Sequence, residues 1–238
     1  MLRQPRDLAA KATDLGLAVP TMHAPRLRHR SGGDIDDDCC LEWQAQLLMT
    51  AAEVDEVDDI EICVAVAEFV TVQVSDPSFS TELLDWYSGA TEVFCPIFTG
   101  TSVAEEVQDQ FGAEPVNNAL LILSTQVLDP LGGNELDAWM VAQLIHRMLP
   151  SHDGLALFCP SPTDLPAEPI QQLEALENLS MYWRNTVGFE AITDHPGMLG
   201  QSTAYVHLQD ARAALGKPGP IPVPVTGLER SPELPLYD

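Results

Sequence analysis

The sequence predicts an α/β (α+β) fold, a central mixed sheet flanked by helices, on three observations. The second half alternates patterns in the order strand, helix, strand, helix, strand, strand. The nearly continuous apolar run Ala119 to Leu128 suits a strand covered on both faces. At 238 residues and 45% hydrophobic, the chain has material for one substantial core once its tails are set aside.

Three stretches follow along the chain. Residues 1–33 read as a basic arm: a short amphipathic helix with Leu8, Ala12 and Leu15 near helical spacing, then a Pro- and Arg-bearing linker running to Ser31, Gly32 and Gly33. Residues 34–215 read as the folded domain, and residues 216–238 as a Pro-rich extended tail.

Within the domain, Leu41 to Met49 and Ile60 to Val74 carry the Val, Ile, Thr and Phe content of strands. They are expected to pair antiparallel through the acidic segment Glu53 to Asp59. From Ser80 to Phe98, Leu83, Leu84, Tyr87, Val93, Phe94 and Ile97 recur at three and four, which predicts one core-facing helix capped by Ser80. Pro130, Gly132 and Gly133 end the central strand, and Asn134, a favoured cap, opens a helix reaching Met148. A buried strand at Leu155 to Cys159, a helix from Pro169 to Thr186 and strands at Phe189 to Thr193 and Ala204 to Leu208 complete the domain. The tail carries six prolines, including Pro218, Pro220, Pro222 and Pro224 at alternate positions. It is expected to pack on its own domain without a helix of its own.

Charge narrows the function classes. A formal net charge of −25 repels phosphate polymers and anionic lipid, which argues against nucleic-acid and membrane binding and for basic or neutral partners. Lys and Arg are absent from Ser31 to His146, while six of the eleven lie in the first thirty residues. The arm either docks on its own acidic body, or the body mimics nucleic acid or binds a basic protein, or the asymmetry serves solubility alone.

No stretch approaches the roughly 20 apolar residues of a membrane span, and no signal-peptide apolar core opens the chain, so the expected location is cytoplasmic. The five cysteines, Cys39, Cys40, Cys63, Cys95 and Cys159, form no Cys-x-x-Cys pair and read as reduced, mainly buried thiols.

Metal sites find little support. Asp34, Asp36, Asp37 and Asp38 lack the glycine and the bidentate glutamate of a calcium loop, since Cys39 and Ala45 stand there. His146 and His152 have no cysteine partner nearby in sequence, so no metal is expected. Nucleophile-elbow and phosphate-loop motifs are absent as well.

Two motifs carry a resemblance. Thr125-Gln126-Val127-Leu128-Asp129-Pro130 followed by Leu131-Gly132-Gly133-Asn134-Glu135-Leu136-Asp137-Ala138-Trp139 looks like a strand, an anion-binding loop and a helix start. Tyr182-Trp183-Arg184-Asn185-Thr186-Val187-Gly188-Phe189 looks like a helix end and a Gly-Phe turn. Together with the element order, these residues resemble the GNAT superfamily of acyl-CoA-dependent N-acyltransferases over about residues 116–208.

The resemblance implies acetyl-CoA or CoA as cofactor and acyl transfer to an amine, with backbone groups of Val127 and Leu128 placing the pantetheine arm. It implies a pyrophosphate loop over Gly132, Gly133, Asn134, Glu135, Leu136 and Asp137, with Asn178 on the later helix. The family's loop pattern, Gln/Arg-x-x-Gly-x-Gly/Ala, falls on Gly132, Glu135 and Asp137, so one cationic or polar side chain is lost and two carboxylates replace small residues. Each like-charge contact near 4 Å would cost up to about 4 kcal/mol at an effective dielectric of 20.

The family's proton-donating tyrosine counts back to Arg184, leaving Tyr182 as candidate general acid two residues away. Glu68 is the candidate base. Two functions stay open: a divergent acyltransferase acting on a small cationic amine, or a pseudoenzyme that binds a basic protein.

Overall fold

The structure is a computed structural model and describes residues 4–32, 39–51, 61–87, 89–112, 114–161, 167–203, 215–216, 218–231 and 234. Asp34 to Asp38, the segment Glu53 to Asp59 and the strand expected at Ala204 to Leu208 lie outside the described residues.

The fold is α/β, built on an eight-stranded mixed sheet. Helix α1 (Pro5–Asp14) comes first, its start fixed by the Asp7 carboxylate, which accepts the Gln4 N–H at 3.0 Å. Next come three long strands, β1 (Thr21–Ser31), β2 (Cys40–Ala51) and β3 (Glu61–Gln73), each antiparallel to its neighbour. Residues 21–31 are therefore a sheet strand and not the expected linker. Alternation explains this: Pro25 and Leu27 are buried while Arg26 and Arg28 are exposed. Pro25 is accommodated where the register shifts between His23 and Arg26, with Ala24 at φ 52°.

The single helix expected from Ser80 to Phe98 is broken into α2 (Thr81–Tyr87), α3 (Gly89–Glu92) and a 3₁₀ turn at Cys95–Ile97. Gly89 weakens a helix interior by about 1 kcal/mol, and Pro96 has no N–H to continue one. A short hairpin, β4 (Phe98–Thr99) with β5 (Ser102–Val103), and helix α4 (Glu105–Phe111) follow.

The second half runs β6 (Asn118–Val127), α5 (Leu136–Met148), β7 (Gly154–Phe158), α6 (Pro169–Thr186), β8 (Glu190–Ala191) and β9 (Leu199–Ser202), which follows the expected order as far as β8 and then adds, in β9, a strand that the sequence reading did not mark. Strands β6 and β7 run parallel, as a helical crossover requires, and β9 lies between β7 and β8. Gly200 on β9 is obligatory, because a Cβ there would stand 2.5 Å from Phe111 Cζ.

The tail packs on the domain but is not merely extended. Strand β10 (Ile221–Pro222) pairs with Thr21 and Met22 of β1, and Val225–Arg230 forms a helix, α7. The prolines at alternate positions end at Pro224, and the six residues after it are proline-free with Val225 and Leu228 buried.

Two cores sandwich the sheet. Leu8 of α1, Leu144 and Ile145 of α5, Trp183 of α6 and Leu228 of α7 share one with Ala65, Ala67, Phe69, Ile122 and Phe158. Leu84, Phe94, Val107 and Phe111 share the other with Val70, Val72, Leu121 and Leu157. All five cysteines are free thiols, three of them buried, and burial pushes the Cys63 thiol up to about 12. Among the described residues no helix is long and apolar enough to cross a membrane.

Candidate functional site

Strand β6 is ten residues long but meets β7 only from Asn118 to Ile122. Beyond Ile122 the β3–β6 register shifts, with Phe69 facing Ile122 and Glu68 facing Ser124, so Leu123 is the extra residue of a bulge. From there β6 continues beside β3 while β7 ends at Phe158. The parting opens a cleft of about 920 Å³ walled by residues 123–127 on one side and by α6 on the other. Trp183 closes its floor, edge-on to Phe158 with ring centroids 4.9 Å apart.

Helix α6 lines the cleft with Ala175, Asn178, Leu179 and Tyr182, positions one turn apart on a single face. Asn178 and Tyr182 therefore stand together on the cleft wall. Arg184, where the family's tyrosine is expected by counting, is exposed.

The loop between β6 and α5 closes on itself. Leu131 N donates to Leu128 O at 2.8 Å and Gly132 N to Asp129 O at 3.1 Å, forming a 3₁₀ turn. Leu128 is fully buried and its N–H donates to Val64 O at 2.9 Å, so this group is not open to place a pantetheine arm, whereas Val127 does line the cleft. Gly133 takes φ 79°.

Asn134 is not the helix cap that the sequence suggests: its side-chain amide donates to Leu131 O at 2.9 Å, and Glu135 occupies the N-cap position of α5, at φ 54° and ψ 26°, with no side-chain cap hydrogen bond. Glu135 thus holds a left-handed backbone, the conformation that glycine adopts most readily, at a position where the resembling family carries glycine. Leu136 is buried, and Asp137 turns toward the cleft.

Asp137 Oδ1 accepts two hydrogen bonds, from Ala138 N at 2.9 Å and from the Tyr182 hydroxyl at 2.6 Å. Burial, then the Asp137 hydrogen bond and charge, then Glu135, push the Tyr182 phenol well above the usual tyrosine range. A phenol so placed keeps its proton and directs it at Asp137.

Glu68 does not line the cleft. It reaches it through Ser124, whose hydroxyl donates to Glu68 Oε2 at 3.2 Å. Asp129 and Leu234 also line the cleft, and sequence reasoning missed both. Asp129 is visible in the sequence only as the residue before Pro130, and Leu234 sits in the tail.

The lining carries two carboxylates, Asp129 and Asp137, and among the described residues no Lys or Arg contributes to it. Its walls suit an extended, partly apolar ligand, and its electrostatics favour a cationic group at the α5 end over an anionic one. Comparison with protein-family models, with curated proteins and with solved structures finds no match to this chain.

Proposed function

We propose that this chain is a GNAT-like protein that has given up the coenzyme grip and uses the cleft between β6 and α6 as a binding site for a basic partner, either a small cationic amine or a basic segment of a protein. The observation that carries this reading is the Asp137 carboxylate. It stands in the first turn of α5, where the resemblance would put the coenzyme pyrophosphate, and it is bonded to the tyrosine that would act as general acid.

A helix N-terminus attracts anions through its unpaired N–H groups and dipole. Here Asp137 meets the Ala138 N–H itself, and Glu135 adds a second negative charge beside it. The sequence order over residues 118–202 supports the fold-level resemblance, while the chemistry of the loop favours binding over transfer.

The rival reading, acyl transfer from acetyl-CoA to an amine, draws support from the placing of Tyr182 and Asn178 on the cleft. Calorimetry separates the two. The native chain is expected to bind neither CoA nor acetyl-CoA and to bind a lysine-rich peptide with an affinity that falls as salt rises. The Glu135→Gly/Asp137→Gly double variant is expected to lose peptide affinity and gain coenzyme affinity. Micromolar coenzyme binding by the native chain overturns the proposal.

A further inference from the structure

On the opposite flank of the sheet, the chain's basic stretch forms a second feature of contrary sign. In β1, Arg26 is paired with Glu61, Nη2 to Oε2 at 2.6 Å. Among the described residues, neither Arg28 nor Arg30 meets a carboxylate, although the chain holds 36 Asp and Glu against 11 Lys and Arg. The strand register places Arg28 opposite Gln46 and Arg30 opposite Gln44. Directly opposed residues of an antiparallel pair project from the same face, so the four side chains form one patch.

Beneath the arginines lies an unsatisfied donor. Gln46 is 4% exposed, and its Nε2 is buried with no hydrogen-bond partner. A buried amide left unpaired is costly, and such a group in a native fold calls for an acceptor. Gln46 lines a dimple of about 10 Å³ whose other walls are Arg28, His29, Arg30 and Gln44. That volume admits one water-sized atom. The dimple lies on the face of the sheet between β1 and β2.

We propose that Arg28, Arg30 and the Gln46 amide form an oxyanion site, in which a carboxylate or phosphate group places one oxygen against Gln46 Nε2 and shares its charge between the two guanidiniums. Arg28, Arg30 and Gln46 all line the dimple, and each carries a donor group. Two like charges at alternate positions of one strand repel each other until an anion lies between them, and guanidiniums match carboxylate and phosphate geometry with charge-assisted hydrogen bonds. Glu68, next in the row beyond Gln44, is turned to Ser124. The site is independent of the cleft and of the function proposed for it.

The test uses the full chain, labelled with nitrogen-15, titrated with inorganic phosphate and separately with acetate at ionic strength held constant by chloride. The reporter is the side-chain amide signal of Gln46, identified as the one absent from Gln46→Leu. A saturable shift with phosphate, acetate or both is expected, and it should be weakened roughly ten-fold by Arg28→Gln and again by Arg30→Gln. Both arginines are exposed, so the thermal midpoint of the double variant should match the native one, which separates lost binding from lost folding. Phosphate alone would point to a phosphoryl ligand, and acetate to an acidic side chain. Absence of a saturable shift with either anion, or an equal shift in the double variant, overturns the proposal.

Discussion

The Tyr182 hydroxyl donates to Asp137 Oδ1 across 2.6 Å, joining the last turns of α6 to the first turn of α5 over the open end of the cleft. Of the eighteen residues of α6 only Trp183 is buried, with Leu179 and Tyr182 packed against the core, so this bond adds a polar tie to a narrow apolar footing.

Removing it tests that role. Tyr182→Phe is expected to lower stability by about 1.5–3 kcal/mol in urea unfolding, the range of a hydrogen bond to a charged group. The alkaline limb gives a second signature. The phenol is raised in the folded state above its ordinary value of about 10, so its contribution is complete below that pH and is lost as pH climbs toward the folded value. Thermal melts above pH 10 should therefore fall more steeply for the native chain than for Tyr182→Phe. Parallel curves would show that the bond does not govern the titration.

Glu135 offers the opposite sign. At φ 54° its backbone is in the left-handed region, which side chains occupy at a penalty that glycine avoids. Glycine also brings more freedom to the unfolded chain, and relief of strain and of the carboxylate clustering outweighs it. Glu135→Gly should raise stability by about 0.5 kcal/mol. A drop in the unfolding midpoint would show that the side chain itself holds the turn.

Gly200 should tolerate no side chain. An added Cβ would stand 2.5 Å from Phe111 Cζ and 3.2 Å from Ile192 Cδ1, both in buried residues. Gly200→Ala is expected to destabilise by about 2 kcal/mol, typical of overpacking, with Phe111→Leu as a partial rescue. A neutral result would mean that α4 shifts freely on β9.

Legibility followed how local the signals are. Helix α6 begins at Pro169 and stops before Gly188, and both boundaries are written in single residues. The unit from β6 to α5 is similarly marked by an apolar run and a glycine turn. Strand β1 was hidden because its exposed positions are arginines and it contains Pro25, so the alternation with Leu27 resembles a linker. Helix α7 was obscured by the prolines before it.

The cleft depends on relations that no local pattern carries. Leu123 is a bulge only with respect to β3, and β7 is short only with respect to β6. Tyr182 and Arg184 stand only two residues apart in the sequence, yet the helix turns Tyr182 toward the cleft and leaves Arg184 exposed. The orphaned amide of Gln46 is likewise invisible until its neighbours are known.

The pairing of β10 with β1, reinforced by Leu228 in the core that holds Leu8, bears on biosynthesis. Strand β1 receives its outer neighbour from Ile221 and Pro222, which leave the ribosome long after Thr21 and Met22. Until residue 230 has cleared the exit tunnel, Leu8 and Met22 lack part of their cover, and the nascent sheet keeps an unfinished border. A chain stopped short of Ile221 should therefore stay bound to chaperones, while one that carries Ile221 to Arg230 can cover that border in a single closing step.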